Sequence, residues 1–282
     1  MKIENSHNIS TASITDEEFV ELSRYITSRY GIKLAPVKKV MLQTRLRKRL
    51  TLLGLETYGE YMKYLLNNEK EKEFLIIEVS TNKTDMFREN DHFTFLANKY
   101  LPEFIKNNLV NRKLKIWSAG CSSGEEVYTL AITIEEFIRT NKAFNYSIFG
   151  SDISTKVIKE ANSGIYKELN VKDIPYEIKK RYYLKSKDKA DPEVRVKAEI
   201  RNKVGFTLMN LMDKEYKTPE IYDIIFCRNV LIYFDKELQE KVIVRLLSKL
   251  RKGGLLFIGH SESLLGMNLP VALIKPTIYR KV

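Results

Sequence analysis

The stretch from Trp117 to Ile132, WSAGCSSGEEVYTLAI, joins an apolar strand, a turn of small residues and a helix start with nothing between them. That succession suits an open α/β sheet in which a strand hands over to a helix beneath a bound cofactor. Ala119, Gly120, Ser122, Ser123 and Gly124 let the backbone turn tightly and come close to a ligand, while the amides that open the helix face it, so Gly120 is a candidate cofactor contact. Glu125 and Glu126 follow at once. A carboxylate there repels a pyrophosphate and suits a cofactor with an ammonium or sulfonium charge, which favours S-adenosylmethionine over a dinucleotide. Taken alone, the segment also reads as an ordinary tight turn.

The pattern downstream continues the α/β theme. A helix is predicted over about Glu125 to Thr140, then a strand in YSIFGSDIS that ends at Asp152, where doubly wound sheets place the acid that holds a ribose. The other reading of Asp152, or of Ser154, is a cap for the next helix. YDIIFCRNVLIYF, from Tyr222 to Phe234, opens as an apolar strand whose polar edge at Arg228 and Asn229 should emerge at the carboxyl end of the sheet. LLSKLRKGGLLFIGHSE supplies an amphipathic helix ending at Gly253 and Gly254, a fifth strand LLFIG, and a polar exit at His260, Ser261 and Glu262. This order is that of a Rossmann-like methyltransferase core.

Two additions to that core are expected. Residues 13–80 read as a small all-helical domain: Thr15 begins a TDEE capping pattern, Gly31 stops the first helix, and GLETYGEYMKYLL starts another after Gly54. The polar segment Ser80–Asn90, STNKTDMFREN, then interrupts the helices, with residues 81–90 placed to close over the cofactor. The remaining residues, 91–282, form the sheet domain. Within it an insertion at about 167–204, whose tail reads PEVRVKAEIRNKVGFTLMN, suggests a small antiparallel β subdomain.

Composition narrows the class. No apolar run approaches the roughly 20 residues of a membrane helix, and MKIENSHNIS lacks the apolar stretch of a signal peptide, so a cytoplasmic protein without membrane insertion is expected. Two cysteines, Cys121 and Cys227, make no disulfide framework, and three scattered histidines, His7, His92 and His260, predict no metal site. The net charge of +12 asks for an acidic partner. Residues 37–53, VKKVMLQTRLRKRLTLL, hold six basic residues and no acid. Leu42, Leu46, Leu50 and Leu53 fall on one stripe of a helix, which leaves Lys38, Arg45, Lys48 and Arg49 on or near an exposed face. A nucleic acid, an acidic protein surface and plain solvation are the three readings of that face.

Six motifs carry a resemblance: TNKTDMFRE at Thr81, WSAGCSSGEE at Trp117, GSDIS at Gly150, MNLMD at Met209, FCRNVLIYFD at Phe226 and GGLLFIGHSE at Gly253. In order and spacing the chain resembles the chemotaxis receptor glutamate O-methyltransferases, the CheR family, from about residue 13 to 282. The resemblance implies cofactor contacts at Asn82, Thr84, Arg88, Glu126, Asp152, Asn210, Leu211, Arg228 and Asn229, and places Tyr233 near the reacting methyl group. It implies S-adenosyl-L-methionine as methyl donor, S-adenosyl-L-homocysteine as product and the cytoplasmic domain of methyl-accepting chemoreceptors as partner, with the basic helix docking on a glutamate-rich coiled coil and no nucleic acid bound. A monomer is expected.

The chemistry is consistent with that family. A glutamate carboxylate is ionised at neutral pH and a sulfonium is a good leaving group, so displacement needs neither a general base nor a metal. Positioning and desolvation supply the acceleration. Arg88 and Tyr233 are the catalytic candidates, as orienting groups, and the fork of Arg88 suits either the cofactor's carboxylate or the acceptor's. A nucleic-acid methyltransferase is the alternative that the charge suggests, but CRNV stands where amine-methylating enzymes of that kind resemble one another in Asn/Asp-Pro-Pro-Tyr. A non-catalytic docking module is the other. Some members of the resembled family hold a receptor C-terminal peptide through a glycine-containing loop of the inserted subdomain. LKSKDKADPEVRV has no glycine, so methylation without that peptide is expected.

Overall fold

The computed structural model describes residues 12–107, 109–188, 190–218 and 220–282, which divide into two compact units. One comprises residues up to 81 together with 233–235; the other comprises 82–232 and 236–282.

The first unit is helical. Helix α1 (Asp16–Tyr30) starts on a reciprocal cap in which Thr15 Oγ accepts the Glu18 N–H and Glu18 Oε2 accepts the Thr15 N–H, and it stops where Gly31 turns left-handed at φ 73°. A short 3₁₀ turn, Pro36–Lys38, leads into α2 (Lys39–Leu53), which ends on left-handed Gly54. Thr57 and Glu60 repeat the reciprocal cap for α3 (Tyr58–Leu66), and Asn68 caps α4 (Glu69–Val79). Ile26, Leu42, Leu46, Leu50, Tyr61 and Leu75 form the interior.

Two of the four basic residues expected on the exposed face of α2 turn inward, and the reading of that face is corrected accordingly. Arg49 forks onto Glu71, Nε to Oε1 at 3.0 Å and Nη2 to Oε2 at 2.6 Å, beside the Tyr61 hydroxyl and over the Phe74 ring. Glu71 is buried, so its charge requires that fork. Arg45 Nη1 donates to the carbonyls of Glu78 and Ser80, which the end of α4 leaves without helical partners. Lys38 and Lys48 remain exposed. Leu53 is half-buried, so the stripe is Leu42, Leu46 and Leu50.

The second unit is an α/β sheet of seven strands: β1 (Leu114–Ala119), β2 (Tyr146–Asp152), β6 (Val204–Leu208), β7 (Tyr222–Cys227), β8 (Leu250–Ile258), β9 (Val271–Lys275) and β10 (Ile278–Lys281). Their order is β6-β2-β1-β7-β8-β10-β9, with the first five parallel and β10 antiparallel to both neighbours. β7 is buried along its whole length, as a central parallel strand covered on both faces should be. Phe226 and Phe257 stack at 4.3 Å across β7 and β8. Helices α5 (Asp91–Phe95), α6 (Leu101–Lys106), α7 (Glu125–Thr140), α8 (Thr155–Ser163), α9 (Tyr176–Tyr182), α10 (Ala198–Arg201) and α11 (Lys236–Ser248) complete the unit.

A second, antiparallel sheet of three strands, β3 (Ile165–Lys167), β4 (Tyr183–Lys185) and β5 (Glu193–Val196), in the order β3-β5-β4, is the small β insertion. Two expectations change. Val204–Leu208, read as part of the insertion's alternating tail, pairs in parallel with β2 in the main sheet. Gly253 and Gly254, read as the stop of a helix, lie inside β8: α11 already ends at Ser248, and four residues of β8, Arg251 to Gly254, oppose Asp223 alone of β7 between the Tyr222–Leu250 and Ile224–Leu255 pairs. Gly253 takes φ 74° in that bulge, and a Cβ on Gly254 would fall 2.8 Å from the Asp223 carbonyl oxygen.

Candidate active site

The chain leaves β1 toward β2 and β6 on one side and returns to β7 on the other, so the order of strands reverses between β1 and β7. Ligands of open α/β sheets bind outside the carboxyl ends at such a point. The segments leaving those ends hold most of the residues singled out in the sequence: Gly120 after β1, Asp152 ending β2, Asn210 and Leu211 after β6, and Arg228 and Asn229 after β7.

The turn after β1 is tight for identifiable reasons. Gly120 and Gly124 adopt φ 82° and 93°, and a Cβ on Gly120 would come within 2.4 Å of Val230. Ser122 takes φ 49°. Its N–H donates to Asp152 Oδ2 at 2.9 Å and its hydroxyl to the Asn82 carbonyl at 3.0 Å, which pins residues 82–90 to the turn. Thr129 Oγ1 holds the same segment further on by accepting the Phe87 N–H.

Asp152 serves both turns at once. Its Oδ1 accepts the Ser154 N–H at 3.0 Å, which organises the start of α8, while Oδ2 serves Ser122. Burial pushes its carboxyl pKa up, against amide hydrogen bonds from Ser154, Ser122 and Ile153 that favour the ionised form. The lone pairs that remain are the acceptors a ribose diol needs. Replacing Asp152 by Asn sets an amide N–H against a backbone N–H, and calorimetry is expected to show S-adenosylhomocysteine affinity reduced about tenfold; unchanged affinity would remove Asp152 from the site.

Across the reversal point, Arg228 lies between two carboxylates. Its side chain is 2% exposed; Nη1 stands 3.2 Å from Glu126 Oε2, and Nη2 stands 3.0 Å from Glu89 Oε2 while also donating to the Arg88 carbonyl. Glu126, in the first turn of α7, also accepts the Ser118 hydroxyl at 2.7 Å. Burial pushes the Glu126 carboxyl up, and Arg228 and Ser118 oppose it. Glu89 is pulled up by burial as well, but the Asn229 amide, Arg228 and the His260 N–H bring it below its ordinary value. Arg88 Nη1 donates to the Lys83 carbonyl. Thr84 is half-buried in the same segment, and Asn210 Oδ1 accepts the Met212 N–H.

Tyr233 ends a 3₁₀ turn, Leu231–Tyr233, and belongs with Phe234 and Asp235 to the helical unit, where its carbonyl accepts the Lys33 N–H. Both cysteines are buried, which raises their thiol pKa values and keeps them protonated.

In the sequence nothing assigns Glu89 a role, and the histidines stand far apart. In the structure Glu89, His92 and His260 present ligand atoms within 4.8 Å of one another. Glu89 is already engaged by Arg228, Asn229 and the His260 N–H, and the guanidinium charge opposes a second cation there. His92 donates from Nε2 to Thr277 Oγ1, whose own proton goes to the Pro276 carbonyl; burial, then Arg228, hold its pKa down to about 4, so the ring is neutral. The signal that would have found Glu89 is its place beside Arg88 in a polar segment. Four of the five non-glycine residues with positive φ among the described residues, Phe87, Glu89, Ser122 and Asn229, lie in these segments, where backbone strain marks functional sites.

The family description "CheR methyltransferase, SAM binding domain" matches residues 82–280, and "CheR methyltransferase, all-alpha domain" matches 17–80. The chain belongs to the CheR methyltransferase family. Curated relatives named chemotaxis protein methyltransferase agree: that of Borreliella burgdorferi is 36% identical, covering 99% of this chain and 98% of the relative. Those of Salmonella typhimurium and Escherichia coli are each 36% identical over 95% of this chain and 91% of the relative. The cofactor is S-adenosylmethionine, and residues gathered at the reversal point suit it. Glu126 and Asp152 offer acceptors to cationic and hydroxyl groups. No helix among the described residues is long and apolar enough to cross a membrane.

Proposed function

We propose that this CheR-family chain methylates glutamate side-chain carboxylates on the cytoplasmic helices of chemoreceptors, giving glutamyl methyl esters and S-adenosylhomocysteine for sensory adaptation. One observation carries the choice of acceptor: Glu126, Asp152 and Glu89 are each engaged by donors of the site. Glu126 is held by Ser118 and Arg228, Asp152 by the Ser122 and Ser154 amides, and Glu89 by Arg228 and Asn229. These groups bind and orient. An ionised carboxylate acceptor asks no more of them, whereas an ammonium acceptor must first lose a proton.

S-adenosylmethionine supplies the electrophilic methyl group. Asp152 holds the ribose, and Glu126 with Arg228 and Asn229 fixes the remainder of the cofactor alongside Asn82, Thr84, Gly120, Asn210 and Leu211. Arg88 orients a carboxylate by its fork, and Tyr233 stands near the transferred methyl. Transfer from a sulfonium to a carboxylate destroys charge, so these residues must align the pair without over-stabilising its separated charges. Residues 13–80 dock the receptor, with Lys38 and Lys48 as the exposed cations facing its acidic surface. The protein acts as a monomer in the cytoplasm and needs no receptor C-terminal peptide.

The test is transfer of labelled methyl to a glutamate-rich receptor cytoplasmic fragment lacking that peptide. Mild alkali is expected to release the label as methanol. Label that survives alkali would place the methyl on another atom and overturn the acceptor assignment.

A further inference from the structure

Glu262 was legible in the sequence only as part of a polar strand exit. In the structure its carboxylate gathers backbone amides from two loops at the carboxyl end of the sheet. Oε2 accepts the Gly259 N–H at 2.6 Å and the Asn229 N–H at 3.0 Å; Oε1 accepts the Leu231 N–H at 2.7 Å and the Ile232 N–H at 3.4 Å. The residue is 8% exposed, so water does not share those donors freely. An ionised carboxylate has the acceptor capacity for four N–H groups, and no neutral side chain of that size has it.

The residue so gripped is unusual. Asn229 takes φ 58°, the left-handed conformation that asparagine tolerates better than most other non-glycine residues. Its side chain is tied separately, Nδ2 to Glu89 Oε1 at 3.1 Å. The facing loop admits no side chain: a Cβ on Gly259 would fall 2.5 Å from Asn229 Nδ2 and 2.8 Å from Asn229 N. Backbone, side chain and facing loop therefore all fix Asn229, and Glu262 joins the first to the third.

We propose that Glu262 is a positioning residue for cofactor binding, acting through Asn229 by holding the exit of β7 in its left-handed turn. This rests on the reading of Asn229 as a cofactor contact. An E262Q side chain keeps the volume but aims an amide N–H at backbone N–H groups, which releases part of the turn.

The experiment measures S-adenosylhomocysteine affinity by calorimetry for the full chain, N229A, E262Q and the double variant. N229A and E262Q are each expected to weaken binding about tenfold, and the double variant is expected to bind no more weakly than N229A alone, because the two residues act as one unit. Loss of stability without a role in positioning would lower the thermal midpoint of E262Q while the folded protein bound normally. That result, or losses that multiply in the double variant, overturns the proposal. If N229A alone binds normally, the cofactor reading of Asn229 fails and takes the proposal with it, an outcome separate from failure of the Glu262 contact. G259A gives a second route should E262Q not fold. Its added Cβ presses on Asn229 directly, and the expected loss is again about tenfold and absent on top of N229A; normal binding by G259A counts against the proposal.

Discussion

Replacing Arg228 by Ala is expected to destabilise the sheet unit by about 3–5 kcal/mol and to abolish measurable S-adenosylhomocysteine binding. The guanidinium is almost wholly buried and neutralises Glu89 and Glu126 together, while also donating to the Arg88 carbonyl and lying 5.4 Å from the Phe93 ring centroid. Without it two carboxylates face each other across the switch between β1 and β7 with only hydroxyl, amide and N–H donors left. Water that enters the vacated space reduces the penalty but does not restore the fork. Urea unfolding and calorimetry read the two effects separately. A loss under 1 kcal/mol with normal binding would show that Arg228 is not the keystone of this site.

Replacing Glu125 by Gln should do the opposite, and only above mildly acidic pH. Burial pushes the Glu125 carboxyl from 4.5 to about 7, against the Ser123 hydroxyl that bonds both its oxygens. The folded state therefore holds a proton that the unfolded chain releases near pH 4.5. Stability then falls as pH rises from about 4.5 to 7 and stays lower above that, by about 3 kcal/mol at 1.36 kcal/mol per pH unit. Gln mimics the protonated form. E125Q is expected to match the native chain near pH 4.5 and to exceed it by up to about 3 kcal/mol at pH 8. Denaturant unfolding at the two pH values checks this, and an equal difference at both would show that Glu125 ionises normally.

The parts of this account that were legible in the sequence are those whose cause is local. The reciprocal caps at Thr15 and Thr57, the stops at Gly31 and Gly54, and the strand–turn–helix of Trp117–Ile132 are each decided within a few residues. What was missed depends on partners far along the chain. Arg49 looked like a docking residue because Glu71 lies 22 positions away, and Arg45 because its carbonyl partners lie 33 and 35 away. Glu262 reaches amides about 30 residues upstream, and His92 meets Thr277 across 185. Gly253 was read as a helix stop because a left-handed glycine serves a strand bulge as readily as a helix end. The β9–β10 hairpin went unread because Pro276–Thr277 is not one of the common hairpin turn pairs.

A groove of ≈ 1350 Å³ in the same unit, bounded by Phe87, Phe93, Ile132, Glu136, Ile174 and Ile178, offers a rival location for the cofactor. The most direct measurement is therefore a structure of the full chain with S-adenosylhomocysteine bound. The account predicts the ribose on Asp152 and the rest of the cofactor along Gly120, Glu126, Arg228 and Asn229; the ligand seated in the groove along α7, with those residues untouched, would contradict it.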